Sequence, residues 1–302
     1  MADPGDFGID GFEYTAVAVG ASRYLPGVAG TGPAVLLLHG FPQTHYCWHR
    51  VAPALALAQR GTVVVCDLKG YGETRAEPGG PLGEGYGNRD RAAELVAVMA
   101  QLGFGRFAVV GHDRGARVAY RMALDHPGVV ERLCVLNIVP TVEQFDRMAG
   151  EAAIDYYPFT FLAQPQPFAE RLVGASAEYF LDHTLDSFAG TPGALSPTAR
   201  ARYHRAFTPQ AISGICADYR ASFHIDRPME AQERADGRRI SCPVLVHWGA
   251  TEGAMSDAGP LLVWREWASD VEGGPLPSGH FIPEEAPDEL VASLQGFLWP
   301  DR

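Results

Sequence analysis

One stretch of the sequence, residues 106–124, limits the possible folds of this chain more than any other. It begins with a short apolar run, residues 106–111, of the kind that makes a buried parallel strand. Residues 116–124 follow with the apolar spacing of a helix. The connection reads Gly-His-Asp-Arg-Gly, and its two glycines permit a cramped strand-to-helix turn that exposes the central residue. The sequence therefore predicts a strand, a sharp turn with Asp113 at its tip, and a helix.

Asp113 occupies the position at which a turn of this type often carries a nucleophilic serine. A serine hydroxyl must lose its proton to a base before it attacks, whereas a carboxylate with a reference pKa of about 3.9 is already ionised at neutral pH. Such a carboxylate can displace a leaving group from carbon directly. We therefore expect an alkyl ester of Asp113 as an intermediate. The structural alternative is that Asp113 only caps the helix, which leaves the two glycines unexplained.

Apolar runs and helical patterns alternate along much of the remaining chain. The sequence predicts an N-terminal hairpin around residues 14–24, buried strands at 34–38, 62–66, 132–137 and 243–248, and helices at about 89–102 and 287–297. Strands that alternate with helices at this spacing predict an α/β fold, in which a mostly parallel central sheet is flanked by helices.

The alternation stops between about residues 141 and 238, where aromatic residues, arginine and helix-forming residues are frequent. This segment has the composition of a helical insertion that covers the carboxyl edge of the sheet. We therefore predict a core domain formed by residues 1–140 and 239–302, and a helical cap subdomain formed by residues 141–238.

Composition and charge exclude several classes of function. A hydrophobic fraction of 47% and a charged fraction of 20% are those of an ordinary globular protein. The net charge of -12, with no basic patch to offset it, argues against a nucleic-acid partner and requires a locally positive site for any anionic substrate. No apolar run is long enough to cross a bilayer, and residues 1–6 are acidic and polar, unlike a signal peptide. We expect a cytoplasmic protein without a membrane partner.

The five cysteines, at positions 47, 66, 134, 216 and 242, are an odd number without the spacing of a metal site. Several of them lie in or beside apolar strand-like runs, so we expect reduced and mostly buried thiols. We expect neither a metal nor another cofactor.

Motifs spread over nearly the full length resemble those of α/β-hydrolases in the haloalkanoic acid dehalogenase and epoxide hydrolase branch. The likeness is greatest to fluoroacetate (haloacetate) dehalogenases. The matching stretches are residues 39–44, 67–72, 111–117, 161–165, 218–220 and 278–281. The first and the last are common across the superfamily, whereas the turn extended to Arg117 is much more specific. The resemblance implies the α/β-hydrolase fold and a homodimer.

Hydrolysis of an ester on Asp113 needs a base and an oxyanion site. His280 follows the last strand and precedes the final helix, where this fold places its general base, so we expect it to take a proton from water. Backbone N–H groups must point at the oxyanion that forms on Asp113. We expect these to come from Arg114, which follows the nucleophile, and from Phe41 in the His-Gly-Phe-Pro turn. The structural alternative is that His280 is an ordinary hydrogen-bonded histidine.

Two arginines lie in the first turn of the helix that follows Asp113. The positive end of the helix dipole disfavours a cation there by roughly 0.3 to 1 kcal/mol, and Arg114 and Arg117 share a face at i and i+3. This placement suggests a clamp for a substrate carboxylate, because guanidinium groups bind carboxylates in bidentate geometry. The resemblance implies the same role. Salt bridges to acids of the cap are the alternative.

The acid that orients His280 is open to more than one assignment. Fluoroacetate dehalogenases carry an acid after the strand that here ends at Leu136, but this chain has Asn137 at that position. Other branches of the superfamily place the acid one strand later, where Glu252 lies in this sequence. We predict Glu252 as the acid, with Asp257 as the alternative.

The predicted cap departs from fluoroacetate dehalogenases beside the leaving group. In that family a histidine and a tryptophan before the Phe-Leu-Ala-Gln-Pro stretch, and a tyrosine further on, donate hydrogen bonds to the departing fluoride. Here Pro158 and Phe159 replace the first two, while Tyr219 is retained, which weighs against fluoride more than against chloride or bromide. Tyr156 and Tyr157 are candidate substitutes. Paired with Tyr219, either of them also fits an epoxide hydrolase, in which two cap tyrosines protonate the opening ring.

The sequence thus predicts a hydrolase that converts a short 2-haloalkanoic acid and water to the 2-hydroxyacid through an aspartyl ester. The substrate is a small anionic organic molecule. One alternative is hydrolysis of a small epoxide that carries a carboxylate, by the same ester route. A second alternative, from a different class, is a ligand-binding member of the fold without catalysis.

Overall fold

The structure, a computed structural model, describes residues 7–252 and 259–300. The strands within these ranges are β1 Glu13–Tyr14, β2 Val17–Val19, β3 Ser22–Tyr24, β4 Gly27–Gly30, β5 Ala34–Leu38, β6 Thr62–Cys66, β7 Phe107–His112, β8 Val130–Leu136, β9 Val244–Gly249 and β10 Val271–Leu276. Eight of them form one sheet in the order β1-β4-β6-β5-β7-β8-β9-β10, and β2 and β3 form a separate hairpin. The predicted Asp257 lies outside the described residues.

The sheet is parallel from β6 to β10 and antiparallel at β1 and β4. In β5, β6 and β9 every residue is buried, which explains why these strands appear in the sequence as unbroken apolar runs. The predicted mostly parallel α/β fold is therefore confirmed. The carboxyl ends of the parallel strands meet at one edge of the sheet, and the residues that follow them are brought together there.

Helices flank the sheet and fill the segment between β8 and β9. The helices are α1 Val51–Leu57, α2 Asn88–Gln101, α3 Arg114–Asp125, α4 Thr141–Arg147, α5 Glu151–Asp155, α6 Tyr157–Phe161, α7 Phe168–Ala175, α8 Ala177–Phe188, α9 Pro197–Ala206, α10 Pro209–Ala221, α11 Arg227–Ala235, α12 Gly259–Trp267, α13 Ile282–Glu285 and α14 Pro287–Leu298. A π-helical turn, Ser222–Asp226, joins α10 to α11. Among the described elements, those between Leu136 and Val244 are all helical, whereas the division into core domain and cap stays a prediction.

Two further features bear on the expectations from composition. All five cysteines are free and buried, as predicted. No helix in the described part of the chain is both long enough and apolar enough to cross a bilayer.

Candidate active site

The strand-to-helix turn at Asp113 is strained and closely packed. Asp113 has φ 45° and ψ −112°, a conformation that L residues rarely adopt. A Cβ atom on Gly111 would lie 2.4 Å from the Cα atom of Ala116. A Cβ atom on Gly115 would lie 2.4 Å from the carbonyl oxygen of His39. Glycine is therefore required at both positions, as the sequence predicts.

The carboxylate of Asp113 is hydrogen-bonded to the turn that follows β5. Its Oδ2 atom accepts a hydrogen bond of 2.9 Å from the backbone N–H of Phe41. Gly40 permits this approach, because a Cβ atom there would lie 2.6 Å from the Cβ atom of Asp113. A backbone donor thus already points at an oxygen of the side chain on which an oxyanion would develop.

The turn that carries Phe41 is fixed by a buried carboxylate. Asp67 accepts a hydrogen bond of 2.7 Å from the backbone N–H of His45, and the Nδ1 atom of His45 lies 2.9 Å from the same oxygen. Burial opposes the ionisation of Asp67, but His45 and His39 outweigh it and hold the pKa of this carboxyl well below its usual range. His39 also accepts a hydrogen bond of 3.0 Å from the backbone N–H of Leu68. These contacts with Asp67 and His39 hold the turn that carries Phe41 in place.

A cavity of about 400 Å³ reaches Asp113. Its walls include Phe41, Asp113, Arg117, Asn137, Glu252 and His280 from the edge of the sheet, and Tyr156, Tyr157, Pro158, Phe159 and Tyr219 from the helical segment. Of the predicted site residues that the structure describes, Arg114 alone is not in the wall. The volume falls within the range of ordinary small-molecule sites.

His280 and Glu252 meet in this cavity. The Nδ1 atom of His280 lies 3.3 Å from Oε1 of Glu252, and both side chains are largely buried. Burial alone lowers the pKa of His280, but the carboxylates of Glu252 and Asp113 outweigh burial, so the net pKa is raised. The geometry is that of an imidazole oriented by an acid, with the acid on the loop after β9.

Asn137 supports the histidine loop instead of the imidazole. It has φ 58°, and its side-chain amide donates hydrogen bonds to the carbonyl oxygens of His280, at 2.6 Å, and Gly279, at 3.2 Å. Its Oδ1 atom accepts a hydrogen bond of 2.7 Å from the backbone N–H of Gly249. An amide suits this position because it must both donate and accept. Asn137 therefore supports the backbone of the loop. Among the described residues, Glu252 is the acid that contacts the imidazole of His280.

Among the described residues, Arg117 is a buried cation without a carboxylate partner. It is 1% exposed, and no Asp or Glu oxygen in that part of the chain lies within salt-bridge distance. Its Nη1 atom donates long hydrogen bonds of 3.3 Å to the carbonyl oxygen of Val139 and to Oγ1 of Thr141, and its Nε atom has no partner among the described residues. The guanidinium group also lies 5.0 Å from the ring centre of Phe159. A buried charge left in this state suits an anionic ligand.

Arg114 is held by an ion pair. Its Nε atom donates a hydrogen bond of 3.0 Å to Oδ2 of Asp218, its Nη2 atom donates to Oδ1, and Arg91 shares the same carboxylate. Burial opposes the ionisation of Asp218, but the two arginines hold its pKa low, at about 2. Nη1 of Arg114 is buried and has no partner among the described residues. Two guanidinium groups thus share one carboxylate, which fixes the side chain of Arg114.

The tyrosines of the cavity differ in how far their hydroxyl groups are engaged. Tyr157 exchanges a hydrogen bond of 3.1 Å with Thr184, which is directed within the helical segment. Tyr156 is hydrogen-bonded to Gln144 and lies near Glu252. Tyr219 is buried and packs against Phe159, with ring centres 5.3 Å apart. Burial raises the pKa of each of these tyrosines, so all three remain protonated hydrogen-bond donors.

Several contributing residues were missed in the sequence. Asp218 lies in a matching motif, directly before Tyr219, and this position was a usable signal. Gln144 and Glu285 lie in ordinary helical patterns, and their contacts depend on how distant segments meet.

Among the described residues, no three His, Cys, Asp or Glu side chains cluster in a way that would hold a metal ion.

Comparisons with known proteins show the family of this chain. A family model described as the alpha/beta hydrolase fold matches residues 33–287. A fluoroacetate dehalogenase from a Burkholderia species is 39% identical over 96% of this chain and 94% of its own length. A soluble epoxide hydrolase from Corynebacterium sp. (strain C12) is 31% identical over 91% of this chain and 93% of its own length. A solved structure of a putative epoxide hydrolase mutant from Pseudomonas aeruginosa, with bound MFA, has a TM-score of 0.90, 43% identity and 96% coverage of both chains.

Proposed function

This chain belongs to the α/β-hydrolase fold family, in the branch of fluoroacetate dehalogenases and epoxide hydrolases, and we propose that it hydrolyses a short 2-haloalkanoic acid to the 2-hydroxyacid. The residues of the site have the functional groups that this reaction requires. The reaction consumes one water and releases a halide ion and a proton. We further propose that residues 141–238 act as the cap that closes the site.

In the first step the substrate carboxylate binds at Arg117, while Arg114 stays paired with Asp218 and packs against the wall residues Phe159 and Tyr219. One carboxylate oxygen of Asp113 attacks the carbon that carries the halogen. A carbon–oxygen bond forms, the carbon–halogen bond breaks, and the electron pair leaves with the halide. Hydrogen-bond donors near the departing atom, above all the hydroxyl of Tyr219, stabilise the developing charge.

In the second step water hydrolyses the ester. His280 takes a proton from water, and the resulting hydroxide attacks the carboxyl carbon of Asp113. The oxyanion that forms is bound by the backbone N–H of Phe41, which already donates to Oδ2, and by that of Arg114. Collapse breaks the bond between the carboxyl carbon and the ester oxygen, and the imidazolium returns its proton to that oxygen. The remaining carboxyl proton goes to solvent, and the product leaves with an oxygen atom that began in Asp113. Glu252 stabilises the imidazolium ion formed in this step.

The observation that carries the proposal is the state of Arg117. A cation that is 1% exposed, lines the cavity and has no carboxylate of its own among the described residues is costly unless a ligand neutralises it. A substrate carboxylate does so, and it is thereby held beside the nucleophile. This argument selects an acid over a neutral substrate.

A second candidate function is hydrolysis of a small epoxide that bears a carboxylate. It is favoured by Tyr219 and Tyr156, which both line the cavity, because opening of the ring requires donors for its oxygen. Asp113 attacks a ring carbon, a tyrosine proton goes to the ring oxygen, and the ester is hydrolysed as above to a diol.

Incubation with chloroacetate, bromoacetate, fluoroacetate and an epoxy acid, followed by halide and diol analysis, ranks these candidates. We expect chloride and bromide release to exceed fluoride release, because Pro158 and Phe159 contribute no side-chain donors. Diol formation without release of any halide would select the epoxide reaction. Ligand-induced thermal stabilisation without product from any substrate would select a binding protein.

Replacement of Arg117 tests the carboxylate site. We expect Arg117→Met to lower kcat/KM for the preferred acid by about 10- to 100-fold, the value of one or two charge-assisted hydrogen bonds. The matched control is Arg106→Met, which removes an arginine whose side chain is 70% exposed. Equal activity of the Arg117 variant and the wild type would contradict the proposed site.

A further inference from the structure

We propose that Glu285 is a positioning residue for the base His280, and that it makes the placement of this base dependent on the segment after α8. The proposal rests on the proposed function, in which His280 activates water. Glu285 is the last residue of α13, five positions after His280 in the sequence. Neither family motifs nor charge pattern single it out.

The carboxylate of Glu285 accepts four backbone hydrogen bonds from two segments, residues 279–281 and residues 190–191. Oε1 accepts one of 2.9 Å from the N–H of Phe281. Oε2 accepts one of 3.0 Å from the N–H of Gly279. Oε2 also accepts hydrogen bonds of 2.9 Å from the N–H groups of Gly190 and Thr191. The two residues that flank His280 are thus both bound to one side chain.

The segment after α8 also contacts the histidine loop directly. The carbonyl oxygen of Phe188 accepts a hydrogen bond of 3.1 Å from the N–H of His280, and the ring centres of these residues are 5.4 Å apart. Gly190 and Gly279 pack so closely that a Cβ atom on Gly279 would lie 2.2 Å from the backbone nitrogen of Gly190. The hydrogen bonds of Glu285 fasten this contact, so a displacement of residues 188–191 moves the loop that holds the imidazole.

Only an ionised carboxylate satisfies all four donors. A carboxylate has about four lone-pair sites and accepts only, whereas a glutamine amide offers one accepting oxygen and a nitrogen that must donate. In Glu285→Gln the amide nitrogen replaces one of the two carboxylate oxygens. Either the N–H of Phe281 or the three N–H groups that Oε2 accepts in the wild type then have no acceptor. Such a loss of support loosens His280 while the packing of the surrounding side chains is retained.

The negative charge of Glu285 has a second effect on the imidazole. Together with Glu252 and Asp113 it raises the pKa of His280 against the opposing influence of burial. Glu285 is partly exposed, so this influence is screened by solvent and is smaller than that of Glu252. Neutralising residue 285 should therefore shift the titration of His280 to lower pH without abolishing it.

The two steps of the reaction respond differently to this change. Displacement of halide by Asp113 needs no base, so it does not depend on the position of His280. Ester hydrolysis depends on it, and a misplacement of a catalytic group by about 1 Å can cost on the order of 100-fold. A slower second step with an unchanged first step is a result that general destabilisation does not produce.

The test compares wild type, Glu285→Gln and Glu289→Gln. The last variant removes the same charge from an exposed residue of α14 whose side chain makes no hydrogen bond or ion pair among the described residues. Rapid quenching and mass spectrometry of the peptide that contains Asp113, with bromoacetate as substrate, follow the formation and decay of the ester. NMR titration of the His280 imidazole, without substrate, gives its pKa in each protein.

We expect Glu285→Gln to form the ester at the wild-type rate, to hydrolyse it about 10- to 100-fold more slowly, and to lower the pKa of His280. Glu289→Gln should behave as wild type. Wild-type decay of the ester in Glu285→Gln, equal slowing of both steps, or the same loss in Glu289→Gln would overturn the proposal. If wild type forms no ester, the proposed function fails, and an unchanged His280 titration in Glu285→Gln then overturns the positioning role as well.

Discussion

At the scale of single residues, the proposed nucleophile and the proposed base have different environments. In the proposed mechanism Asp113 is the nucleophile, and the backbone N–H of Phe41 fixes the orientation of its carboxylate. His280 must be neutral to accept a proton, yet Glu252 and Asp113 raise its pKa. The same carboxylates that stabilise the imidazolium product therefore delay its deprotonation as the pH rises.

This electrostatic arrangement predicts the pH dependence of the hydrolytic step. A base with a raised pKa stays protonated to higher pH, so ester hydrolysis should rise with pH through a value above the usual histidine pKa of about 6.5. The replacement Glu252→Gln removes the main charge that raises the pKa of His280. The rising limb of the pH–rate profile should therefore move to lower pH, and kcat at the plateau should fall by about 100-fold or more. Rate measurements between pH 5 and 9 on both proteins check this. A limb that does not move would exclude Glu252 as the orienting acid.

Removal of the base predicts a trapped intermediate. In His280→Gln the first step still proceeds and the second does not, so each active site should release about one halide and retain the ester on Asp113. Mass spectrometry of the intact protein and of the peptide that contains Asp113 detects the adduct. Asp113→Asn, in which neither step occurs, is the matched control. An unmodified His280→Gln protein that has released halide would contradict this order of events.

At the scale of elements, the turn between β7 and α3 determines the geometry of the site. Helix α3 begins at residue 114, directly beside the end of β5. This close approach is possible because Gly115 has no Cβ atom. The turn after β5 in turn supplies the N–H of Phe41. The two segments are therefore packed as a unit, and the positions of nucleophile and oxyanion donor are coupled.

This coupling predicts the effect of a single methyl group. Gly115→Ala should destabilise the protein by about 1–3 kcal/mol through overpacking and reduce activity in the fraction that remains folded. Gly296→Ala, in the exposed interior of α14 with no neighbour within 4 Å of the new Cβ atom, should instead stabilise by about 0.5–1 kcal/mol. Thermal unfolding of both variants checks the pair. A Gly115→Ala protein as stable as wild type would show that the close approach does not exist in solution.

The sequence predicted elements well where local pattern determines them and less well elsewhere. Strands β5, β6, β7, β8 and β9 lie within one or two residues of the predicted runs, because strands buried on both faces must be apolar. Strand β10 was missed, since Val-Glu-Gly-Gly-Pro-Leu at the edge of the sheet has no such pattern. Strand β4 was also missed, because it is short and contains two glycines.

The site shows the same division. Asp113 and the two glycines around it lie within five consecutive residues, so the local sequence was enough to predict their turn. The contact between His280 and Glu252 joins two loops that are separate in the sequence. The sequence therefore allowed more than one candidate for the acid that orients His280. The pairing of Arg114 with Asp218 joins residues 104 positions apart, and two of the four donors to Glu285 lie about 95 positions away from it. Such contacts leave no local pattern.

At the scale of the whole molecule, buried carboxyl groups make stability depend on pH. Glu284 is 1% exposed and accepts hydrogen bonds from Tyr203 and Gln43, and burial raises its pKa to about 8. The folded state therefore binds this proton more tightly than the unfolded state, in which the pKa is about 4.3. The sign follows directly, because this contribution to stability is complete below the unfolded pKa and is lost as pH rises towards 8.

Replacement of Glu284 tests this dependence. In Glu284→Gln the fall in melting temperature between pH 6 and 9 should be smaller than in wild type, since the group no longer titrates. The exposed Glu289→Gln is the control and should retain the wild-type slope. Calorimetric melting curves across this range give the comparison, and equal slopes in all three proteins would contradict the assignment.

The most direct test of the account is a single turnover in heavy-oxygen water with enzyme in excess over the 2-haloacid. If the ester of Asp113 forms, the first hydroxyacid released carries an ordinary oxygen from the protein, and the heavy oxygen appears in the carboxylate of Asp113, as mass spectrometry of its peptide will show. Heavy oxygen in the first product, with an unlabelled Asp113, would mean that water attacks the substrate directly and that no ester is formed.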